Sequence, residues 1–168
     1  MSTKKKAVEA PAIVAKQIDS FIDKFEPPMA QRIREVRAAL CKRLPTANEL
    51  VYDNYNFLVV GYCSTERPSD CICSLAANSK GVGLSFYYGA DLPDPHGILE
   101  GSGTQNRFVR LVDGAATLND PRVEALIQAA VDNAETPLPK LKGHAIVRSV
   151  SAKQRPRRER VTLAKVAR

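Results

Sequence analysis

The spacing of apolar residues changes twice along the chain, and these changes constrain the fold more than any single motif does. Up to residue 44, apolar residues recur at the 3.6-residue period of amphipathic helices, and from residue 49 they alternate with the period of two that strands show. The helical period returns after residue 120. Helices, then consecutive strands, then a further helix are the element order of an α+β domain. The sequence therefore predicts an antiparallel sheet of about five to six strands, covered on one face by helices.

Prolines and a capping residue set the predicted helix ends. Residues 11–25 and 28–44 form a helical hairpin that breaks at Pro27, because the residue before a proline avoids helical angles. Asp120 and Pro121 are typical of an N-cap and a first helical position, and they predict a third helix over 121–134. Short connections between most of the strands favour antiparallel hairpins. The predicted strands are 50–55, 57–64, 70–77, 82–88, 107–112 and 144–150.

Length and charge distribution predict one domain with basic ends. A chain of 168 residues has the usual size of a single domain. We expect a flexible basic N-terminus over 1–10, one α+β domain over 11–152 and a basic C-terminal tail over 153–168. Residues 20–136 hold 11 basic against 15 acidic side chains, and residues 137–168 hold ten against one. Most of the net charge of +7 therefore lies at the C-terminus.

The C-terminal tail is predicted to pack poorly and to carry any binding of polyanions. Its arginines would attract nucleic acid weakly, without sequence preference and in a salt-dependent way. The alternative is that they only aid solubility. In either case, deletion of the tail is expected to leave the melting temperature nearly unchanged. The predicted polyanion-binding residues are Arg155, Arg157, Arg158 and Arg160.

The sequence favours a cytoplasmic location. No apolar run approaches the ~18 residues of a membrane helix, so a membrane is not expected as a partner. Glu9, Pro11 and Lys16 interrupt what would be the apolar stretch of a signal peptide. Four cysteines without an export signal favour reduced thiols.

Three of these cysteines lie in one predicted hairpin. Cys71 and Cys73 share a face of their strand, because alternate residues of a strand point to the same side. If the hairpin closes symmetrically about Arg67, Cys63 pairs with Cys71 and three thiols lie on one face. Three thiolates could begin a zinc site, but such a site needs four ligands, and free cysteines are among the most buried residues. We favour three small core residues over a metal site.

The connection over residues 89–107 is the best candidate for a binding site. Loops above about 12–15 residues are usually functional or disordered, and the apolar residues and prolines of this one favour order. Arg107 would lie close to acidic side chains of the loop. There it either forms an ion pair that holds the loop shut or acts as the anion anchor of a shallow pocket that the first strand completes. The candidate ligand-binding residues are Tyr52, Asp53, Tyr55, Asp91, Asp94, His96, Glu100 and Arg107.

No set of residues predicts a catalytic centre. The cysteines and the two histidines, His96 and His144, do not assemble a nucleophile and a base, and the glycines of 97–104 lack the P-loop spacing. We therefore expect no catalytic residue and favour a protein that is not an enzyme. An acidic row of Asp19, Asp23 and Glu26 would either bind a hard cation or, as we favour, lie on the solvated face of the first helix.

Several segments carry a resemblance to a known family. They are residues 49–56 (ELVYDNYN), 65–70 (TERPSD), 89–96 (GADLPDPH), 99–103 (LEGSG) and 149–158 (SVSAKQRPRR). From about Phe21 to Arg158 the chain resembles a bacterial branch of the domain-of-unknown-function 1801 family, also called YdhG-like. The resemblance implies a compact α+β domain of frataxin-like topology with no established reaction. We expect no cofactor, apart from the iron that this resemblance alone implies. The commoner family pattern has a Lys-Trp-Gly-x-Pro-like segment after the second helix, where this chain has VYDNY at 51–55.

Three functions remain open. The favoured hypothesis is a non-enzymatic domain of the bacterial cytoplasm that binds a small ligand or a protein partner beside the loop at 89–107. The alternative is a frataxin-type carrier of iron or another metal that uses surface carboxylates. The weaker alternative is a nucleic-acid accessory protein that binds through its basic tail.

Overall fold

The order of elements follows the predicted change of period. The structure is a computed structural model of the 168-residue chain and describes residues 9–159. Within these residues, three helices and six strands are connected by turns and by the long loop at 89–107, and 3-10 turns lie at Pro68–Asp70, Gly89–Asp91 and Gly114–Asn119. The elements are α1 (Pro11–Ile22), α2 (Pro27–Arg43), β1 (Asn48–Asp53), β2 (Leu58–Cys63), β3 (Cys71–Asn78), β4 (Gly81–Phe86), β5 (Arg107–Arg110), α3 (Pro121–Asp132) and β6 (Ala145–Val150).

The predicted α+β class is confirmed, but the sheet is mixed rather than antiparallel. The strand order is β5-β4-β3-β2-β1-β6. The pairs from β1 to β5 are antiparallel, whereas β6 pairs with β1 in parallel. Hairpin reasoning applies to β1–β4, which follow one another closely. It does not apply to β6, because α3 and its flanking segments precede β6 in the chain. A connection of this length lets a strand cross to the other edge of the sheet and pair there in parallel.

All three helices pack on one face of the sheet. The apolar stripe of α1 supplies Ile18 and Ile22, and that of α2 supplies Ile33 and Leu40, each of them fully buried. Opposite them, alternate strand residues such as Val60, Leu75 and Leu84 complete the core. Asp120 caps α3 as predicted, since its carboxylate accepts a hydrogen bond from the amide of Arg122 at 2.9 Å. Among residues 9–159, no helix has the length and apolar character that a membrane crossing requires.

A β-bulge overturns the prediction that three thiols share a face. Tyr62 pairs with Cys73, and the next residue of β2, Cys63, pairs with Cys71, so Ile72 is the extra residue of β3. Cys73 therefore points into the helix-covered core with no exposed surface. Cys63 and Cys71 lie on the opposite face, which no helix covers.

The segment after β6 is packed against the domain, so the prediction of a poorly packed tail is wrong for residues 154–158. Arg157 is only 5% exposed, and its Nη2 donates to Asp53 Oδ1 at 2.9 Å. The side chain of Gln154 donates a hydrogen bond to the main-chain carbonyl of Asp53. The main-chain amide of Arg155 donates to the main-chain carbonyl of Tyr55 at 2.8 Å. The sequence reasoning failed here because a run of arginines has the same composition whether it is solvated or paired. Arg160 lies outside the described residues.

The carboxylate of Asp53 is fully buried and has two cationic partners. Lys24, just beyond α1, donates to Oδ2, and Arg157 donates to Oδ1. Burial by itself would raise the pKa of Asp53, but hydrogen bonds from Lys24, Gln154 and Arg157 outweigh burial and hold the pKa below its ordinary value. The ionised carboxylate thus joins α1, β1 and the C-terminal segment.

We expect Arg157→Ala to lower the free energy of unfolding by about 3 kcal/mol, because it removes one partner of a buried carboxylate. The matched control is Arg155→Ala, two residues away, whose exposed guanidinium lies 5.6 Å from the ring centre of Tyr55. Its cost should stay below about 1 kcal/mol. Urea unfolding at neutral pH measures both variants. Equal losses in the two variants would contradict the assignment of Arg157 as a structural ion-pair partner.

The same contact predicts a pH dependence. Because the pKa of Asp53 is lower in the folded than in the unfolded chain, the pair stabilises the folded state fully above the unfolded value of about 4, and this stabilisation is lost as pH falls through the folded pKa. The stability difference between wild type and Arg157→Ala should therefore be constant above about pH 5 and shrink in more acidic urea titrations. A difference that persists at low pH would show that Arg157 acts through packing alone.

Candidate functional site

The face of the sheet opposite the helices carries a concave cavity of about 950 Å³, which we call the trough. The trough crosses β2, β3 and β4 and is closed at its edges by residues of β1 and β5. None of the three helices lies over this face, and the trough is therefore open to solvent along its length.

Two adjacent cross-strand rows explain the shape of the trough. In each row the side chains at the centre are small and those at the ends are large, so the sheet is hollow in the middle. Phe57 and Tyr87 add aromatic surface at two further points of the lining. The first row is Tyr52, Val59, Ala76, Gly83 and Arg110; the second is Leu50, Gly61, Ser74, Ser85 and Phe108.

The charges around the trough are of one sign. Among the described residues, its lining includes Arg32, Lys80 and Arg110 but no carboxylate. Glu100 lies outside the lining and partly offsets Arg110, from which it is 3.3 Å away. Lys80, in the β3–β4 turn, is exposed at the rim. Since opposite charges attract over short distances in partly desolvated sites, the trough favours a ligand that carries a negative charge.

One end of the trough is formed by Cys63 and Cys71. The Ser74 hydroxyl lies 3.2 Å from the Cys71 sulfur. The neighbouring Cys63 thiol lowers the pKa of Cys71, and the nearness of Cys71, together with burial, raises the pKa of Cys63. Burial also raises the pKa of Tyr52, which lies in the next strand. The two thiols are therefore chemically unequal, and Cys71 is the one that ionises first.

The predicted pocket of β1 residues around Arg107 does not form. Tyr52 lines the trough, but Asp53 points to the helix side of the sheet, and Tyr55 is exposed in the β1–β2 turn. Three strands separate β1 from β5, which at about 4.8 Å per strand spacing places them about 19 Å apart. The sequence could not reveal this separation, because strand order in a sheet is decided by pairing partners far apart in the chain.

Within the loop at 89–107, the predicted ion pair of Arg107 with an acidic side chain is absent from the described contacts. Arg107 donates instead to the main-chain carbonyls of Gly103 and Asn106. Glu100 pairs with Arg110, and the Asp94 carboxylate accepts hydrogen bonds from the amides of residues 98 and 99. Backbone groups thus satisfy Arg107 and Asp94, and Glu100 pairs with a different arginine from the predicted one.

The remaining predicted residues lie away from the trough. Asp91 is exposed at the end of the 3-10 turn that begins the loop. Asp94 and His96 line a second, smaller cavity of about 140 Å³ between the loop and α3, together with Arg122. Each member of the acidic row Asp19, Asp23 and Glu26 lies within 3.7 Å of an arginine nitrogen, from either Arg34 or Arg158. No group of three or more His, Cys, Asp or Glu suited to a metal ion occurs among residues 9–159.

Sequence reasoning missed the trough, although a signal for it was present. In β2, β3 and β4, core residues alternate with residues on the uncovered side, as in any half-buried strand. Several of the residues on the uncovered side are glycine, alanine or serine, where long polar side chains are usual. Small residues at solvent-facing strand positions indicate close approach of another molecule. That signal becomes readable only when the register shows that the small residues are neighbours.

Comparison with protein-family models, with curated proteins and with solved structures finds no match to this chain.

The close contact between Gly89 and Arg107 yields a test of how the loop is anchored. A Cβ atom on Gly89 would lie 2.5 Å from the Arg107 Cβ and 2.9 Å from its backbone nitrogen. We expect Gly89→Ala to lower the free energy of unfolding by about 1–3 kcal/mol, because β5 must shift to admit the methyl group. A Cβ on Gly103, in the same loop, would meet nothing within 4 Å, so Gly103→Ala should change stability by less than about 0.5 kcal/mol. Chemical denaturation compares the two variants, and a neutral Gly89→Ala would show that the loop does not depend on this contact.

Proposed function

We propose that this chain is a non-enzymatic binding domain that holds a small molecule with a flat apolar body and an anionic group in the trough. The observation that carries the proposal is the pair of cross-strand rows, whose small centres and large ends, one of them aromatic in each row, leave a cavity of about 950 Å³. This volume lies within the range of about 300–1,000 Å³ that small-molecule sites occupy. The loop at 89–107 leads directly into β5, so the proposed site is bounded by it on one side.

The lining supports both parts of the proposed ligand. Aromatic rings at Tyr52, Phe57 and Phe108 offer faces and edges against which a planar apolar group can pack. The cations Lys80 and Arg110 at the rim would attract an anionic group, and no described carboxylate of the lining repels it. A charged rim combined with an apolar floor is typical of sites where polar groups orient a mostly apolar ligand.

A binding role is also in keeping with the family resemblance, which implies no reaction. We retain the bacterial cytoplasm as the proposed location. Iron transport and polyanion binding through Arg155, Arg158 and Arg160 stay predictions, and Arg157 is withdrawn from the second because it is buried against Asp53.

A thermal-shift screen with aromatic carboxylates and their neutral amide analogues tests the proposal. A carboxylate that binds the folded state should raise the melting temperature by about 5 °C or more at a concentration near a hundred times Kd, and its amide should raise it less. Preference for the amides, or for amines, would contradict an anion-binding trough.

Filling the trough should abolish this response. Ala76, opposite both Val59 and Gly83, lies at the centre of the first row, and Ala76→Leu places a branched side chain there without disturbing the core. The matched control is Ala38→Leu on the exposed side of α2, in the other layer of the domain. Ala76→Leu should fold normally and lose the ligand-induced shift, whereas Ala38→Leu keeps it. A ligand response that survives Ala76→Leu would place the site elsewhere.

Lys80→Gln should weaken carboxylate binding about threefold and leave amide binding unchanged.

A further inference from the structure

Two thiols face each other across β2 and β3 at one end of the trough. Cys63 and Cys71 are direct cross-strand partners. Their sulfurs lie 3.6 Å and 3.4 Å from the point where a Cβ of Gly61 would sit, so the glycine leaves room for both. Residues directly opposite in an antiparallel pair have Cα atoms about 4.5–5.5 Å apart, inside the range of about 4.4–6.8 Å that disulfides span. Closure of a bond between these sulfurs therefore needs rotation of the two side chains toward each other, together with a local adjustment of the bulge at which this pair lies.

We propose that Cys63 and Cys71 form a thiol–disulfide exchange site: small-molecule disulfides oxidise the dithiol to a cross-strand disulfide, and small-molecule thiols reduce it again by the reverse exchange. The proposal rests on the sulfur pair alone and does not require the ligand proposed for the trough. It assigns the two thiols different roles, with Cys71 as the attacking group and Cys63 as the resolving group.

The surroundings of the two sulfurs support this division. Cys71 is half-buried in the trough wall and can be reached from solvent, whereas Cys63 is 1% exposed. As a thiol, Cys71 donates to the carbonyl of Cys73 at 3.3 Å, and as a thiolate it can accept from the Ser74 hydroxyl at 3.2 Å. The neighbouring Cys63 thiol further lowers the pKa of Cys71, which increases the thiolate fraction available for attack near neutral pH.

The exchange proceeds in two balanced steps. The Cys71 thiolate attacks one sulfur of the small disulfide R–S–S–R, a Cys71–S–S–R bond forms, and the other half leaves as R–S⁻. Cys63 then loses its proton to the departing thiolate, and its sulfur attacks the Cys71 sulfur and expels the second R–S⁻. The second R–S⁻ takes up from solvent a proton equivalent to the one that Cys71 had lost. The two cysteines are thus oxidised to a disulfide, and R–S–S–R is reduced to two thiols.

The other two cysteines are excluded from this reaction by position. Cys73 points into the core on the opposite face of the sheet. Cys41 lies on α2, where burial raises its pKa to about 11, and its sulfur is 4.0 Å from the Tyr62 hydroxyl. The bulge that separates Cys71 from Cys73 therefore determines which thiol meets Cys63.

Oxidised glutathione, with the reduced full-length protein, tests the proposal. The intact protein mass before alkylation should be lower by two hydrogen atoms. After alkylation of the remaining thiols, peptide mapping by mass spectrometry should find one internal disulfide, between Cys63 and Cys71. Cys63→Ser should stop at a stable glutathione adduct on Cys71. Cys71→Ser should form no internal disulfide and react at least about tenfold more slowly at neutral pH. Cys41→Ser is the matched control and should behave as wild type does.

The products formed by the wild-type protein test the proposal even if a variant folds poorly. A stable glutathione adduct without ring closure, an internal disulfide that contains Cys41 or Cys73, or no reaction of the folded protein would each overturn the proposal. Faster reaction of Cys63 than of Cys71 would overturn the assignment of roles. Circular dichroism of each variant before oxidation confirms that the thiols are compared in the folded state.

Discussion

The arrangement of the other elements depends on the ion pairs of the buried Asp53 carboxylate. A carboxylate without solvent must be paired, and its two cationic partners come from opposite ends of the chain, Lys24 after α1 and Arg157 after β6. Glu49, two positions before Val51 on the same face of β1, also contacts a helix. Its carboxylate accepts two hydrogen bonds of 2.9 Å from the guanidinium of Arg37 on α2. One strand thus holds the first two helices and the C-terminal segment in register through its acidic residues, while its apolar residue fills the core.

These ion pairs hold α1 and α2 against the same face of β1, so the helices lie on one side of the sheet. The opposite side has no described element to cover it, and its residues are small enough to leave a trough. The buried ionic contacts of β1 therefore lie on the covered face, and the open face carries thiols, hydroxyls, aromatic rings and cationic side chains. A ligand site and a thiol pair on the open face can change in the course of their chemistry without disturbing the interactions that keep the domain folded.

The β-bulge in β3 has consequences for both candidate activities. By adding Ile72 to the strand, it turns Cys71 toward the open face and leaves Cys73 in the core. Without the extra residue, alternation would place Cys71 and Cys73 on one side. The chemistry available at the end of the trough thus depends on a single irregularity of strand pairing, which shifts the register at the first residue of β3.

Local periodicity determined the helices, the strands and the α+β class, because each depends on residues a few positions apart. Asp120 as a cap is readable for the same reason. The parallel edge strand, the bulge, the burial of Arg157 and the separation of Tyr52 from Arg107 were decided by contacts between residues far apart in the chain. Composition cannot distinguish a solvated arginine from one that neutralises a buried carboxylate. Only the tertiary structure, by setting strand order and register, decides which small residues become neighbours and form a trough.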